Sequence, residues 1–144
     1  MIHLRIHTDG GARGNPGPAA IGVVIKKINQ ETNRENTLVS FGKKIGECTN
    51  NVAEYSAVIG AFDWLLTNLT EQDEKDLKID FFLDSKLVAM QLSGIFKIKD
   101  PHLRELLFLI RRKEAEVGGS ISYQHIAREK NQEADLEVNK ALDS

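Results

Sequence analysis

The sequence predicts an α/β fold: a five-stranded mixed sheet, three antiparallel strands followed by two parallel ones, flanked by helices. Three observations predict it. Apolar residues occupy alternate positions near the N-terminus and again over residues 77–84, as strands with one buried face require. Between those stretches, from Asn51, the apolar period lengthens to that of a helix. The full order reads βββαβααβα, in which hairpin-linked strands pair antiparallel and the last two strands enter through helical crossovers.

The first strand covers residues 2–9, with Ile2, Leu4 and Ile6 on one face and His3, Arg5, His7 and Asp9 on the other. The dense turn residues from Gly10 to Pro18 predict a tight loop. Ala20 to Lys27 and Thr37 to Ile45 form a hairpin across the polar stretch Asn29 to Asn36. A long amphipathic helix follows from Asn51 to Leu69. Leu77 to Asp84 alternates as a fourth strand, with Leu77, Ile79, Phe81 and Leu83 opposite Lys78, Asp80, Phe82 and Asp84. A short helix from Ser85 to Ser93 stops at Gly94. Asp100-Pro101 is an N-cap with proline at the first helical position, opening a helix that runs to Val117 before Gly118-Gly119. Ile121 to Ala127 is the fifth strand and Gln132 to Leu142 the last helix.

No repeat, low-complexity tract or linker divides the 144 residues, so one domain over residues 1–144 is expected. That length buries roughly 70% of the unfolded surface. The composition, 41% hydrophobic and 28% charged, is that of a globular protein rather than a disordered or fibrous one. No segment approaches the ~18 apolar residues of a membrane span, and the N-terminus lacks a leader pattern, which makes a cytoplasmic protein with no membrane partner the expectation. A monomer is the default. The lone Cys48 excludes an internal disulfide and makes no thiolate metal site by itself. The net charge of −2 runs against the basic excess usual in nucleic-acid binders, unless grouped carboxylates hold cations that reverse the local field.

Four acids raise that question. Asp9 ends the first strand and Asp84 the fourth, each on its strand's polar face, so both emerge on one side of the sheet. Glu54 falls in the first turn of the long helix, in line with Val58, Ala61 and Leu65, on a stripe expected to face the sheet. Asp135 repeats the pattern with Val138 and Leu142. Helix N-termini favour acids on electrostatic grounds alone, but capping does not explain why both face inward toward strand-end acids. Converging carboxylates repel, and oxygen-only ligation without a His or Cys cluster suits Mg²⁺ or Mn²⁺. Two such ions about 4 Å apart would serve phosphodiester hydrolysis.

The segments Thr8-Asp9-Gly10-Gly11-Ala12-Arg13-Gly14-Asn15-Pro16-Gly17-Pro18, Thr49-Asn50-Asn51-Val52-Ala53-Glu54, Leu83-Asp84-Ser85 and Asn131-Gln132-Glu133-Ala134-Asp135 resemble the ribonuclease H type 1 family. They span nearly the whole chain in the right order. The resemblance implies the ribonuclease H-like fold and cleavage of the RNA strand of an RNA/DNA hybrid with two Mg²⁺ ions. It also implies that Asp9 bridges both ions, Glu54 and Asp84 help hold one and Asp135 the other. Asn15 and Asn51 match hybrid-contacting positions, a plain turn or N-cap role being the other reading of each. Gly10 and Gly11 are further candidate substrate contacts, and by the resemblance Glu54 meets the ribose 2′-hydroxyl that marks RNA.

Lys97 and Lys99, in Phe96-Lys97-Ile98-Lys99, fall where some relatives carry a long basic protrusion; here the stretch is short, and a solvated loop remains the other reading. His125 lies ten residues before Asp135 and alternates with Ile121 and Tyr123, which assigns it to the strand. Arg128, seven residues before Asp135, matches an arginine of the family's shorter variant and is the candidate auxiliary phosphate contact. Two alternatives stay open: a hybrid-binding module without catalysis, and another nuclease of this fold such as a resolvase, integrase or exonuclease.

Overall fold

The computed structural model describes residues 1–70 and 76–144. Strand β1 (Ile2–Ala12) leads into β2 (Gly17–Ile28), β3 (Glu35–Cys48), helix α1 (Asn50–Asn68), β4 (Leu77–Leu83), α2 (Lys86–Leu92), α3 (Pro101–Val117), β5 (Ser120–His125), a 3-10 turn (Arg128–Lys130) and α4 (Gln132–Asp143). The sheet order is β3-β2-β1-β4-β5. β1 pairs antiparallel with β2, and β2 with β3, whereas β4 lies parallel to β1 and to β5. This is the mixed sheet the element order predicts. No helix among the described residues is long and apolar enough to cross a membrane.

The helices begin where the chain supplies acceptors for their unpaired amides. Thr49 caps α1 by accepting from the Val52 amide, Ser85 caps α2 through Val88, and Asp100 caps α3 through His102 and Leu103. Gly118, at φ 77°, ends α3 in a conformation that favours glycine. Between α1 and the sheet lies the main core, where Phe81 sits 5.1 Å from the Phe62 ring and 5.0 Å from that of Tyr123.

Neighbouring glycines of β1 show how the helices are layered. The α-carbon of Gly10 faces the backbone of Ala53 in α1, and that of Gly11 faces Val138 in α4. Successive strand residues point to opposite faces, so α1 and α4 cover opposite sides of the sheet. α4 lies so close that an added Cβ would be 2.1 Å from the Ala134 carbonyl oxygen at Gly22, and 2.2 Å from that of Glu137 at Gly42.

Several boundaries differ from the sequence reading. β1 does not stop at Asp9 but continues to Ala12, with Gly10 opposite Ile21 and Gly11 opposite Ala20. The two glycines that suggested a turn are strand residues whose missing side chains admit a helix; the turn itself is confined to residues 13–16. β3 starts two residues earlier than expected and runs three further, pairing Cys48 with Gly17. α1 starts at Asn50, which makes Glu54 its fifth residue rather than part of the first turn. β5 ends at His125, and the chain then folds into the 3-10 turn instead of continuing to Ala127.

Candidate metal centre

The acids are gathered by backbone clearances rather than by charge. Asp9 lies in the interior of β1, opposite Gly22, and is only 7% exposed. A Cβ on Gly10 would stand 2.2 Å from the Ala53 carbonyl carbon and 2.4 Å from the Glu54 nitrogen. Glycine there lets α1 settle directly on β1 and carries Glu54 to the flank of Asp9. Asp84 follows the last residue of β4, held between that strand and the capped start of α2. Carboxylate oxygens of Asp9, Glu54 and Asp84 lie within 4.8 Å of one another.

Asp135 joins them differently from expectation. The buried stripe of α4 is Ala134 and Val138, and Asp135, one position round, is exposed. It does not face inward. It stands at the rim, where it lines the same cavity of about 440 Å³ as the other three acids and acts directly on the Asp9 carboxyl. Asn139 steadies it, donating from Nδ2 to the Asp135 carbonyl at 3.1 Å and to Oδ2 at 3.4 Å.

Without a counter-charge the cluster is strained electrostatically. Burial, then the charge of Asp84, then Asp135 push the Asp9 carboxyl up to about 8. Burial, then Asp9 and Asp84 push Glu54 up to about 9, opposed by the Arg128 guanidinium. Oε2 of Glu54 is buried with no hydrogen-bond partner among the described residues. A buried acceptor left unpaired costs about 1–3 kcal/mol, and a cation at this point would relieve both the orphaned oxygen and the repulsion. Carboxylates alone, with no His or Cys, fit a hard divalent ion. Asp80 shows the contrast. It lies four residues before Asp84 and is also buried, but its oxygens are taken by His3 Nε2 and Ser122 Oγ, each at 2.7 Å.

Arg128, Gly10, Gly11 and Asn51 line the acidic cavity as well. Asn15 does not; its Oδ1 accepts from the Asn50 amide at 2.9 Å, while Asn50 Oδ1 accepts from the Ala12 amide, so it ties the 13–16 turn to the start of α1. Lys97 and Lys99 are exposed outside the cavity, on either side of the buried Ile98. His125 ends β5, as its alternation predicted, and is exposed away from the acids.

Sequence reasoning included Asn131 only as the first residue of a family-like segment and gave it no role of its own. It is 1% exposed, and its Nδ2 donates to the Thr8 carbonyl at 2.9 Å and to Asp84 Oδ2 at 3.3 Å. Placed between the 3-10 turn and α4, it falls in no periodic pattern that would mark its side chain as buried.

A family model described as reverse transcriptase-like matches residues 7–141. Among solved structures, that of LC11-RNase H1, isolated from compost, superposes with a TM-score of 0.87 at 43% identity, covering 99% of this chain and 97% of that one. The same protein in complex with an RNA/DNA hybrid gives 0.83 at 41% identity, covering 97% and 96%. Ribonuclease HI of Halobacterium salinarum is 37% identical over 142 residues, 96% of this chain and 65% of that protein. A bifunctional protein of Mycobacterium tuberculosis is 37% identical over 140 residues. The chain spans 35% of the length of that mycobacterial relative.

Proposed function

The chain belongs to the ribonuclease H type 1 family, and from that premise we propose that it hydrolyses the RNA strand of RNA/DNA hybrids with divalent cations held by Asp9, Glu54, Asp84 and Asp135. One observation carries the reading: three carboxylates converge within 4.8 Å, one of them Glu54 with a buried oxygen that has no partner among the described residues, in a cavity that the fourth acid also lines. A relative at 41% identity has been crystallised with an RNA/DNA hybrid, which supports the substrate.

Asp9, Glu54 and Asp84 would hold a divalent ion between their converging oxygens, and Asp135, which acts on the Asp9 carboxyl from the cavity edge, would help Asp9 hold a second. When bound, Mg²⁺ or Mn²⁺ lowers the pKa of an attacking water and stabilises the departing oxygen. The protein's own part is placement. Gly10 and Gly11 bring the strand backbone to the cavity wall, where it can meet the sugar-phosphate chain. Asn51 reaches the cavity from the first turn of α1, and Asn15 fixes the turn beside it. Glu54 is the acid assigned to the 2′-hydroxyl of the nucleotide at the cut, an assignment that rests on the family resemblance. Arg128 supplies positive charge at the cavity, beside Arg13, and is suited to a phosphate oxygen. Lys97 and Lys99 offer a second, exposed contact to the backbone farther along the duplex.

Labelled hybrid, RNA duplex and DNA duplex, incubated side by side with Mg²⁺, Mn²⁺ or EDTA, test this. Cleavage of the RNA strand of the hybrid, dependent on metal, is expected, with the DNA duplex left intact. Binding of hybrid without turnover in any metal would instead make the protein a hybrid-binding module.

A further inference from the structure

We propose that Asn131 is a positioning residue of the acidic site: its side-chain amide ties Asp84 to the strand that carries Asp9, and thereby sets how tightly the site holds divalent cations. The inference rests on reading the cluster as a cation site.

Three acids arrive on three separate elements, β1, the end of β4, and α4. Asn131 touches the chain at each. Its Nδ2 donates to the carbonyl of Thr8, the residue before Asp9, and also to the Asp84 carboxylate. Its own main-chain carbonyl accepts from the Asp135 amide at 3.1 Å. Both side-chain acceptors are oxygens without hydrogens, so only the nitrogen end of the amide can face them. The orientation is therefore settled by chemistry.

Among the described residues the Asp84 carboxylate takes no other hydrogen bond, so without it the side chain would be free to swing. A donor anchored on β1 opposes that swing. A lysine or arginine in this place would do so too, but its charge would compete with the cation; a neutral amide leaves the negative field intact. The oxygen end, Oδ1, is buried and without a partner among the described residues. Side-chain volume alone would be supplied as well by leucine, with no buried oxygen to desolvate. What the asparagine adds is its pair of N–H groups.

Asn131→Leu keeps the approximate volume and removes the donor; Asn131→Ser shortens the side chain so that it cannot bridge Thr8 and Asp84. For each, Mn²⁺ binding to the hybrid-free protein is measured by electron paramagnetic resonance, together with melting in EDTA and the metal dependence of hybrid cleavage. Metal affinity should fall by roughly tenfold or more, and kcat should drop with partial recovery at excess metal, while KM for the hybrid is unchanged. A folded variant with unaltered Mn²⁺ affinity, or a loss confined to melting temperature, overturns the proposal. In the unsubstituted, ¹⁵N-labelled protein the Asn131 side-chain amide signals should shift during a Mg²⁺ titration. Signals that stay fixed while the backbone of Asp9 responds overturn it without any substitution. Hybrid cleavage by the unsubstituted chain is scored separately: an inactive chain whose Mn²⁺ affinity still falls in Asn131→Leu sinks the nuclease reading and keeps this one.

Discussion

Replacing Gly10 by alanine tests whether the site depends on a backbone clearance. The new Cβ would lie 2.2 Å from the Ala53 carbonyl carbon, 2.3 Å from its oxygen and 2.4 Å from the Glu54 nitrogen. Ordinary contact begins at 3.4 Å, so α1 has to lift by about 3.4 − 2.2 = 1.2 Å. Every obstructing atom is backbone, and none can rotate aside. Overpacking of this kind costs about 1–3 kcal/mol, the upper end applying where no side chain can yield. For a domain this size that lowers the melting temperature by about 5–10 °C. The lift occurs where Glu54 leaves the helix, so the carboxylate moves with it. Misplacement by about 1 Å costs about 10²-fold in rate, and Mn²⁺ affinity should fall in parallel. Thermal melts in EDTA, Mn²⁺ titration and hybrid cleavage read the three effects. Gly11→Ala is the stability control, because its Cβ would lie at an ordinary 3.4 Å from Val138 Cγ1. A Gly10→Ala protein that melts within 1 °C of the parent and cleaves within about twofold of its rate would refute the argument.

The raised carboxyls make the metal-free protein sensitive to alkali. Folded Asp9 and Glu54 keep their protons to about 8 and about 9, against 3.8 and 4.5 as free groups. The folded state therefore binds more protons across that window, and stability falls as pH rises through it. Melting in EDTA should decline from pH 5 to pH 9 and Mg²⁺ should reverse the decline; a flat profile contradicts the burial of these groups. Asp9→Asn should abolish cleavage and retain hybrid binding while raising the melting temperature at pH 9 in EDTA, and full activity in that variant sinks the metal assignment. Arg128→Ala should slow turnover several-fold without abolishing it, whereas an unchanged rate returns Arg128 to the surface charges.

The sheet was legible because its strands obey a simple period and its hairpin and crossovers leave little topological choice. Asp9, Glu54 and Asp84 were legible as acids in anomalous places. Asp135 was assigned to the right cavity for a wrong reason: its spacing to Val138 suggested the buried stripe, but Ala134 occupies it. The end of β1 was misread because glycine signals a turn unless a helix backbone is pressed against it, and that contact, between residues 10 and 53, is remote in sequence. The role of Asn131 escaped for the same reason. Its partners lie 47 and 123 residues away, and nothing local announces them.

β3 has a consequence for how the protein behaves in a crowded solution. It is a fourteen-residue strand at the margin of the sheet, mostly exposed, with one side paired to β2 and the other unpaired among the described residues. A long open margin is a template on which a foreign strand can grow. Two register shifts, at Ala19/Ala20 and Ile25/Lys26, twist it out of flatness, and Gly46, at φ 83°, bends its far end. Lys43 and Lys44 place adjacent charges along it, which a second chain would have to approach and desolvate. The width that lets the sheet seat α4 thus carries an aggregation hazard, and colloidal stability is bought with irregularities and lysines that take no part in the chemistry.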